Sequence, residues 1–369
     1  MAQGGVQTRK TSKVISIAPA AAGEPGSVYY PLRLDEVPQP TPEGKQVLLK
    51  MHAAGINHRD HFIRQNLYPD VAFGVPLFAD GCGTVVALGP DAEKGWLHKR
   101  VVVCPASGWH ADSWGPEDKF SILGGTSRNQ NGTLQEYMVI DQATLELAPP
   151  HLSNVECAAL PLTSLTAWRA VMTKCAQHVG PGRKILVTGI GGGVALMALE
   201  FARAVGTEVF VSSGSLDKIE AAKQRGAVGG VSYKHAGWEK ELLELTGGVR
   251  LDAVIDGAGG NIVDSAVKIL KPGGILVVYG MTLGPKISFP MSAVLRNMEI
   301  RGTTVGSRRE FEEMMRVVRE KHLRPVISKV VKGLELERVE ELFHDMKTGA
   351  HFGKLVVSFD NKEEPRSRL

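Results

Sequence analysis

The chain has 369 residues, 43% of them hydrophobic, which is enough for two folded cores. Its 43 Lys and Arg nearly balance its 39 Asp and Glu, and the formal net charge of +4 is spread along the chain. Nucleic acid is therefore not an expected partner. The 4 cysteines are too far apart for a disulfide framework and indicate a reducing compartment. No apolar run approaches the roughly 18 residues of a membrane helix, so a soluble protein is expected.

The first part of the chain is rich in strand-like runs separated by Gly and Pro clusters. These runs are Val14–Ile17, Val47–Ala53, Thr84–Leu88, Arg100–Cys104 and Leu134–Ile140. They predict an irregular antiparallel barrel or sandwich. At Ser153-Asn154-Val155-Glu156 a capping box predicts a helix start, because the Ser and Glu side chains suit the first free amides of a helix. We place a domain boundary there, so that residues 1–152 form the first part of one domain.

From Lys184 onward, short apolar runs alternate with helical segments. The runs are Ile185–Val187, Glu208–Val211, Gly230–Tyr233, Asp252–Ile255, Ile275–Tyr279 and Glu299–Arg301. This alternation predicts an α/β domain over residues 153–304 with a doubly wound, six-stranded parallel sheet. Two charged amphipathic helices, Glu310–Lys321 and Glu335–Lys347, and a last strand, Leu355–Phe359, follow. Residues 305–360 are expected to return to the first domain, and 361–369 to form a flexible tail.

A glycine-rich loop follows the first strand of the predicted parallel sheet. It reads Gly189-Ile190-Gly191-Gly192-Gly193-Val194-Ala195 and leads into a helix, whose first amides face outward and attract phosphate. Gly191, Gly192, Gly193 and Val194 are the candidate cofactor-binding residues. The match to G-x-G-x-x-G is imperfect, and a simple tight turn is the alternative interpretation.

The end of the second strand indicates which dinucleotide is bound. Ser213 and Lys218 lie about 20 residues past the glycine loop, where an acidic residue would hold the ribose 2′-hydroxyl of NAD. A small hydroxyl residue and a cation instead suit the 2′-phosphate of NADPH. In the alternative interpretation, Ser215 caps the next helix and Lys218 is a solvated surface residue.

Four motifs occur in a characteristic order. They are Gly55–Pro69, Gly-Thr-Leu-Gln-Glu-Tyr at 132–137, Pro-Leu-Thr-Ser-Leu-Thr-Ala-Trp at 161–168 and Lys-Pro-Gly-Gly at 271–274. With the glycine loop, they make the sequence resemble the medium-chain dehydrogenase/reductase superfamily over nearly its whole length. Within this superfamily, the chain most resembles the quinone oxidoreductases (zeta-crystallin-like).

The resemblance implies a GroES-like β-barrel catalytic domain built from both chain ends around a central Rossmann domain, a cleft between them, and a homodimer. Asn57 and Tyr68 fall where quinone oxidoreductases place polar residues near substrate and nicotinamide. Thr166 falls where the family packs a threonine against the nicotinamide, and Tyr233 where NADPH-binding members use a tyrosine. Phe62 stands where some quinone oxidoreductases carry a second tyrosine.

The resemblance also implies that no metal is bound. The zinc alcohol dehydrogenases of the superfamily use a Cys, a His-Glu pair and a second Cys at the catalytic zinc. Those positions here hold Asn57, Ala79 with Asp80, and Leu162. His110 with Asp112 is another possible metal pair, but two ligands are too few for a site. A zinc-independent enzyme is expected.

These observations lead to a functional hypothesis: an NADPH-dependent oxidoreductase that passes a hydride to a conjugated carbonyl compound, a quinone or an enone. Asn57 is expected to hold the amide or substrate oxygen, and Tyr68 or water to supply the proton. Arg59, Asp60 and His61 are further candidates, although a loop salt bridge and a partly buried histidine are the favoured interpretation of these three. The alternatives are a biosynthetic enoyl reductase, a nucleotide-binding protein without turnover and, against the strand pattern, a methyltransferase.

The sequence closes on Ser367-Arg368-Leu369, a conservative variant of the Ser-Lys-Leu peroxisomal address. A cytoplasmic enzyme with a polar tail is the expectation, with a peroxisomal location as the alternative.

Overall fold

The computed structural model describes residues 10–21, 23–284 and 286–359, and the Ser367-Arg368-Leu369 address lies outside these residues. The elements up to residue 150 are mostly strands. They are β1 (Thr11–Ile17), β2 (Leu32–Pro38), β3 (Gln46–Gly55), α1 (His58–Arg64), β4 (Asp80–Leu88), β5 (Arg100–Val103), β6 (Ala106–Ser107), β7 (Ser121–Ile122), β8 (Tyr137–Asp141) and β9 (Leu145–Leu147), with 3₁₀ turns at Lys94–Trp96 and Gln142–Thr144. The predicted strand at Leu134 begins instead at Tyr137, because Thr133 and Leu134 donate their N–H groups to Phe78 and Leu77, outside the ladder.

The central part of the chain alternates strands and helices. Its elements are α2 (Asn154–Ala158), α3 (Pro161–Trp168), β10 (Lys184–Val187), α4 (Gly193–Ala204), β11 (Glu208–Ser213), α5 (Leu216–Gln224), β12 (Gly229–Ser232), α6 (Trp238–Leu245), β13 (Leu251–Asp256), α7 (Ile262–Ile269), β14 (Leu270–Val278), α8 (Met291–Val294) and β15 (Glu299–Gly302), with a π-helical turn at Arg169–Lys174 and a 3₁₀ turn at Ala176–His178. The strands form one parallel sheet in the order β12-β11-β10-β13-β14-β15.

This sheet confirms the predicted doubly wound fold, and its side chains explain why both faces are covered. Ile185 and Val187 of β10 pack into one apolar cluster, whereas Leu186 between them packs into another on the opposite face. All three side chains are fully buried. A strand buried on both faces is apolar throughout rather than alternating, which is the pattern of a parallel sheet between helix layers.

A strand near the end of the described chain pairs with a strand of its first part. This last part contains α9 (Arg308–Glu320), β16 (Ile327–Lys332), α10 (Leu336–Thr348) and β17 (Lys354–Ser358). β17 pairs antiparallel with β3, and β16 adds to β17, so that strands from both ends share a sheet of order β16-β17-β3-β4-β5-β9, with β8 also on β3. The fold is therefore a GroES-like β domain joined to a Rossmann-like α/β domain. No helix among the described residues is long and apolar enough to cross a bilayer.

Candidate functional site

A cleft with a cavity of about 490 Å³ lies at the carboxyl ends of the parallel strands. Thr188 follows β10, Ser213 ends β11, Gly257 follows β13 and Tyr279 follows β14, and all four line the cavity. The opposite wall comes from residues 56–68 and from residues 346–355 of the returning segment. Ligands of doubly wound sheets bind at this edge, because the loops after the strands converge there.

The glycine-rich loop forms the floor of the cleft. Gly192 is the N-cap of α4, and the backbone comes so close to its neighbours that a Cβ on Gly193 would lie 2.9 Å from Cδ of Lys354. Gly192, Gly193 and Val194, three of the candidate cofactor-binding residues, line the cavity. Gly191 does not belong to the lining; its carbonyl accepts the N–H of Gly353 at 2.8 Å, and its φ of 130° suits a glycine.

The far end of the cleft, at β11 and β12, is open to solvent. Ser213, Lys218 and Tyr233 all line the cavity there, and Tyr233 is 52% exposed. Nζ of Lys218 donates to the carbonyl of Gly349 at 2.8 Å, across the cleft, and desolvation lowers the pKa of Lys218. Ser215 caps α5 by accepting the N–H of Lys218. The structure therefore contains both the helix cap at Ser215 and a Lys218 side chain that lines the cavity.

The opposite end of the cleft contains a buried polar cluster. Nζ of Lys354, at the start of β17, donates to Oδ1 of Asn57 at 2.7 Å, to Oδ2 of Asp80 at 2.8 Å and to the carbonyl of Ile56 at 2.9 Å. Nδ2 of Asn57 donates to Oδ2 of Asp80 at 2.9 Å. Oδ1 of Asp80 accepts the N–H of Leu162 at 2.7 Å. We call Asn57, Asp80 and Lys354 the polar triad.

Asp60 keeps the start of α1 in place. Its carboxylate accepts the backbone N–H of Asn57 at 2.8 Å and pairs with Arg59 at 3.3 Å. Full burial raises the pKa of Asp60 to about 6, although Arg59 and the Asn57 N–H lower it. Arg59 also donates to the carbonyls of Leu123 and Gly124. The salt-bridge interpretation of this pair is therefore confirmed.

His61 is 8% exposed and bonded through Nδ1 to the hydroxyl of Tyr29, which confirms its interpretation as a buried polar residue. His58 and His351 instead line the cavity, with ring centroids 6.5 Å apart. Desolvation in the cleft, with the nearby charges of His351, His61 and Lys354, lowers the pKa of His58 to about 4. Desolvation also lowers the pKa of His351. Burial therefore favours the uncharged form of both rings.

The walls around the polar triad are mainly apolar and aromatic. Phe62, Tyr68, Ile122 and Leu162 line the cavity, and the guanidinium of Arg59 lies 4.8 Å from the centre of the Tyr68 ring. Thr166 lines it too, with its hydroxyl donating to the carbonyl of Leu162 at 2.7 Å. The cleft thus brings together Asn57, Tyr68 and Thr166 from separate elements, among mainly apolar walls with a few polar groups, as is usual for small-molecule sites.

Two family models match the chain. Residues 43–150 match the alcohol dehydrogenase GroES-like domain, and residues 193–320 match the zinc-binding dehydrogenase domain. A zinc-type alcohol dehydrogenase-like protein of Leptosphaeria maculans is 49% identical over 343 residues, which cover 90% of this chain and 96% of the relative. The chain belongs to the medium-chain dehydrogenase/reductase superfamily. As a member of this superfamily it is an oxidoreductase that binds a nicotinamide cofactor and acts on small molecules.

Other relatives agree with this assignment. A zinc-type alcohol dehydrogenase-like protein of Schizosaccharomyces pombe is 34% identical over 335 residues, covering 88% of this dehydrogenase/reductase and 94% of the relative. The solved structure of an NAD-dependent alcohol dehydrogenase is 32% identical, with a TM-score of 0.83, and the match covers 94% and 100% of the two chains. A crotonyl-CoA carboxylase/reductase in complex with NADP, at 21% identity and a TM-score of 0.79, covers 95% of each chain and shows the shared fold alone.

The matched zinc-binding dehydrogenase model and the names of the relatives imply zinc, but the residues at the expected position do not fit it. Of Asn57, Ala79, Asp80 and Leu162, only Asp80 carries a common zinc ligand, whereas a zinc site needs three or four N, O or S donors. The carboxylate of Asp80 already accepts three hydrogen bonds, and the adjacent ammonium of Lys354 opposes a second cation. Across residues 10–21, 23–284 and 286–359, no group of three or more His, Cys, Asp or Glu could hold a metal ion. His110, considered with Asp112 as a possible metal pair and set aside, contacts Asp118 at 3.1 Å.

The sequence interpretation missed three residues of this dehydrogenase/reductase site. Lys354, His58 and His351 all line the cavity. No local motif marks them: Lys354 stands in front of the apolar run Leu355–Val357 and is 4% exposed, so its burial depends on an acidic partner from a distant strand. The sequence signal that could have revealed Lys354 is its position at the start of an apolar strand predicted to be buried, where a charged side chain needs a partner.

Proposed function

We propose that this oxidoreductase is a zinc-independent, NADPH-dependent reductase of conjugated carbonyl compounds, quinones or enones. The observation that carries the proposal is the polar triad. It occupies the acceptor end of the cleft with an amide, a carboxylate and an ammonium, all hydrogen-bonded to one another, instead of metal ligands.

The chemical reason concerns where negative charge develops. Hydride transfer to an isolated carbonyl places nearly a full charge on one oxygen, which a Lewis acid would stabilise. A conjugated acceptor spreads that charge over several atoms, so hydrogen bonds and close positioning are enough to lower the barrier. The apolar walls of Phe62, Ile122 and Leu162 favour such a flat, conjugated molecule.

Each residue of the site has one role in the proposed reaction. Bound NADPH supplies the hydride. Asn57 binds the acceptor oxygen through an N–H of its amide, and Tyr68, or a water beside it, supplies the proton to the reduced product. Thr166, which lines the cavity, packs against the nicotinamide.

NADPH, rather than NADH, is proposed from the open end of the cleft. Ser213 ends β11 without an acidic neighbour, and Lys218 and Tyr233 line the cavity beside it. The hydroxyl of Ser213, the ammonium of Lys218 and the phenol of Tyr233 can all donate hydrogen bonds to the 2′-phosphate of NADPH. The 2′-hydroxyl of NADH is instead usually bound by a carboxylate. Gly192, Gly193 and Val194 supply backbone at the pyrophosphate, and Gly191, outside the cavity lining, shapes the turn that presents them.

We also propose a homodimer formed through the edge strand β15. In the segment between β14 and β15, five large apolar side chains that do not line the cavity are at least 47% exposed: Leu283, Phe289, Met291, Val294 and Leu295. Such a concentration marks an interaction surface. Pairing of two β15 strands across a twofold axis would join the sheets and cover these side chains. A dimer mass in analytical ultracentrifugation that Leu295→Glu converts to a monomer would support this surface.

The domain division proposed from the sequence is a catalytic domain of residues 1–152 and 305–360 around a cofactor domain of residues 153–304. The sharing of one sheet by β3 and β17 supports it.

The test is an assay of NADPH oxidation by absorbance. Quinones, enones, enoyl thioesters and matched saturated ketones are compared at equal concentration, with and without a chelator, and with zinc content measured by elemental analysis. We expect turnover of conjugated acceptors alone, unaffected by the chelator. Turnover of saturated ketones that requires one zinc per chain would overturn the proposal.

A further inference from the structure

The ammonium of Lys354 is fully committed to groups of the protein. Its side chain is 4% exposed, and its three N–H donors are used by Ile56, Asn57 and Asp80. A lysine has three donors and no acceptor. It therefore has no donor left for a ligand in the cavity, and any effect on the reaction passes through the residues that it holds.

The same contacts fix the orientation of the Asn57 amide. Because an ammonium only donates, the atom of Asn57 that faces Lys354 must be the oxygen. Because a carboxylate only accepts, the atom that faces Asp80 must be the nitrogen. A flip of the amide would break both bonds. One N–H of Asn57 remains, and within the described ranges it has no partner in the protein, while Asn57 lines the cavity.

Lys354 is itself held from two sides. Asp80 is fully buried, and its second oxygen accepts the N–H of Leu162 at the start of α3. The methylene chain of Lys354 passes over Gly193, at a distance where an added Cβ would lie 2.9 Å from Cδ. The lysine thus spans the gap between the cofactor loop and the acceptor end.

We propose that Lys354, with Asp80, is a positioning residue: the pair locks the amide of Asn57 so that its free N–H faces the acceptor oxygen. The inference rests on the proposed function, in which Asn57 binds that oxygen. It assigns to a buried ion pair the task of orienting a neutral hydrogen-bond donor.

The test uses the double variant Asp80→Asn/Lys354→Met, which removes both charges while keeping similar volumes. The matched control is Asp252→Asn/Lys271→Met. In that pair a buried carboxylate also contacts a lysine, at 3.0 Å, and a backbone N–H, from Lys184 at 2.9 Å, but neither residue lines the cavity. Thermal unfolding and NADPH affinity, followed by fluorescence, report on fold and cofactor binding.

We expect the Asp80→Asn/Lys354→Met variant to fold and to bind NADPH within about twofold of the wild type, because Met keeps the methylene chain over Gly193 and neither residue is a proposed cofactor contact. Its kcat should fall by at least about tenfold, since a misdirected donor no longer stabilises the developing charge. In an Asn57→Ala background the same double change should leave kcat unaltered, because the pair acts through Asn57. Wild-type kcat in the double variant, or equal losses with and without Asn57, would overturn the proposal.

A second readout separates this proposal from the proposed function. If the wild type oxidises NADPH with none of the acceptors, the function fails, but the side-chain amide resonances of Asn57, assigned through Asn57→Asp, still test the orientation. Two well-separated, slowly exchanging amide protons that collapse toward ordinary values in the double variant support the locked amide. Ordinary, rapidly exchanging protons in the wild type would contradict it.

Discussion

The two ends of the cleft are built by opposite means. At the cofactor end the polar groups are backbone amides, the buried hydroxyl of Ser213, and the more open side chains of Lys218 and Tyr233, of which Tyr233 is 52% exposed. At the acceptor end Asn57 and Lys354 are 4% exposed and Asp80 is fully buried, and each bonds to the others. Open groups act nearly independently, whereas a buried network behaves as one unit. Variants at the acceptor end should therefore alter stability and turnover together, and variants at the open end should alter affinity alone.

The largest expected effect is on stability at the acceptor end. Lys354→Met alone leaves the buried carboxylate of Asp80 without its cation, which should lower the free energy of unfolding by about 3–5 kcal/mol. The added change Asp80→Asn should recover most of that loss, because it removes the unpaired charge. Urea unfolding of the three proteins checks this. A single variant as stable as the wild type would show that the pair is not buried as described.

Asp60 gives the acceptor end a pH signature. Its pKa is raised from 3.8 to about 6, first by burial, so between about pH 4 and 6 the folded protein holds a proton that the unfolded chain has released. The stability linked to this proton is fully present below the unfolded value and is lost as pH rises through about 6. The Asp60→Asn side chain cannot ionise. As pH rises from about 4 to 7, the free energy of unfolding of the variant should therefore increase relative to that of the wild type, by at most about 3 kcal/mol. Urea unfolding across this range measures the gain, and a difference independent of pH would contradict the raised pKa.

Tyr68 tests the proton donor at the same end. Tyr68→Phe should lower kcat by about 100-fold and leave NADPH affinity unchanged, because only the proton-transfer step loses its acid. Tyr30→Phe is the control, since Tyr30 packs against Phe73 and does not line the cavity. Steady-state rates with an enone decide the matter. A loss of less than about threefold would assign the proton to water.

The smallest expected effect is at the open end. Lys218→Ala should weaken NADPH binding by about 1.5–3 kcal/mol through loss of a charge-assisted contact, with NADH affinity and stability unchanged. Lys223→Ala, on the same helix but paired with Glu220 on the surface, is the control. Calorimetric titration with both cofactors measures the difference. Equal losses of affinity for NADPH and NADH would show that Lys218 does not contact the 2′-phosphate.

The same contrast explains what the sequence revealed. The capping box at Ser153, the glycine loop and the apolar strands were predictable because each depends on neighbours within a few residues. The open end could therefore be located from local patterns. Lys354 could not, because its contact with Asn57 spans 297 positions and no local pattern encodes it. Asp80 was visible only as a position where a zinc ligand was missing, and not as the partner of a buried lysine.

The place of β17 has a consequence for how the protein is made. One edge of β3 pairs with β8 at residues 46–50 and with β17 at residues 53–55, so part of this edge stays unpaired until the last strand leaves the ribosome. Long-range pairing of this kind slows folding and leaves unsatisfied strand edges exposed meanwhile. The parallel α/β sheet, by contrast, is complete once β15 has been synthesised. The central domain is thus able to fold during translation. The domain that contains Asn57 can complete its sheet only after Lys354 and the rest of β17 have been synthesised.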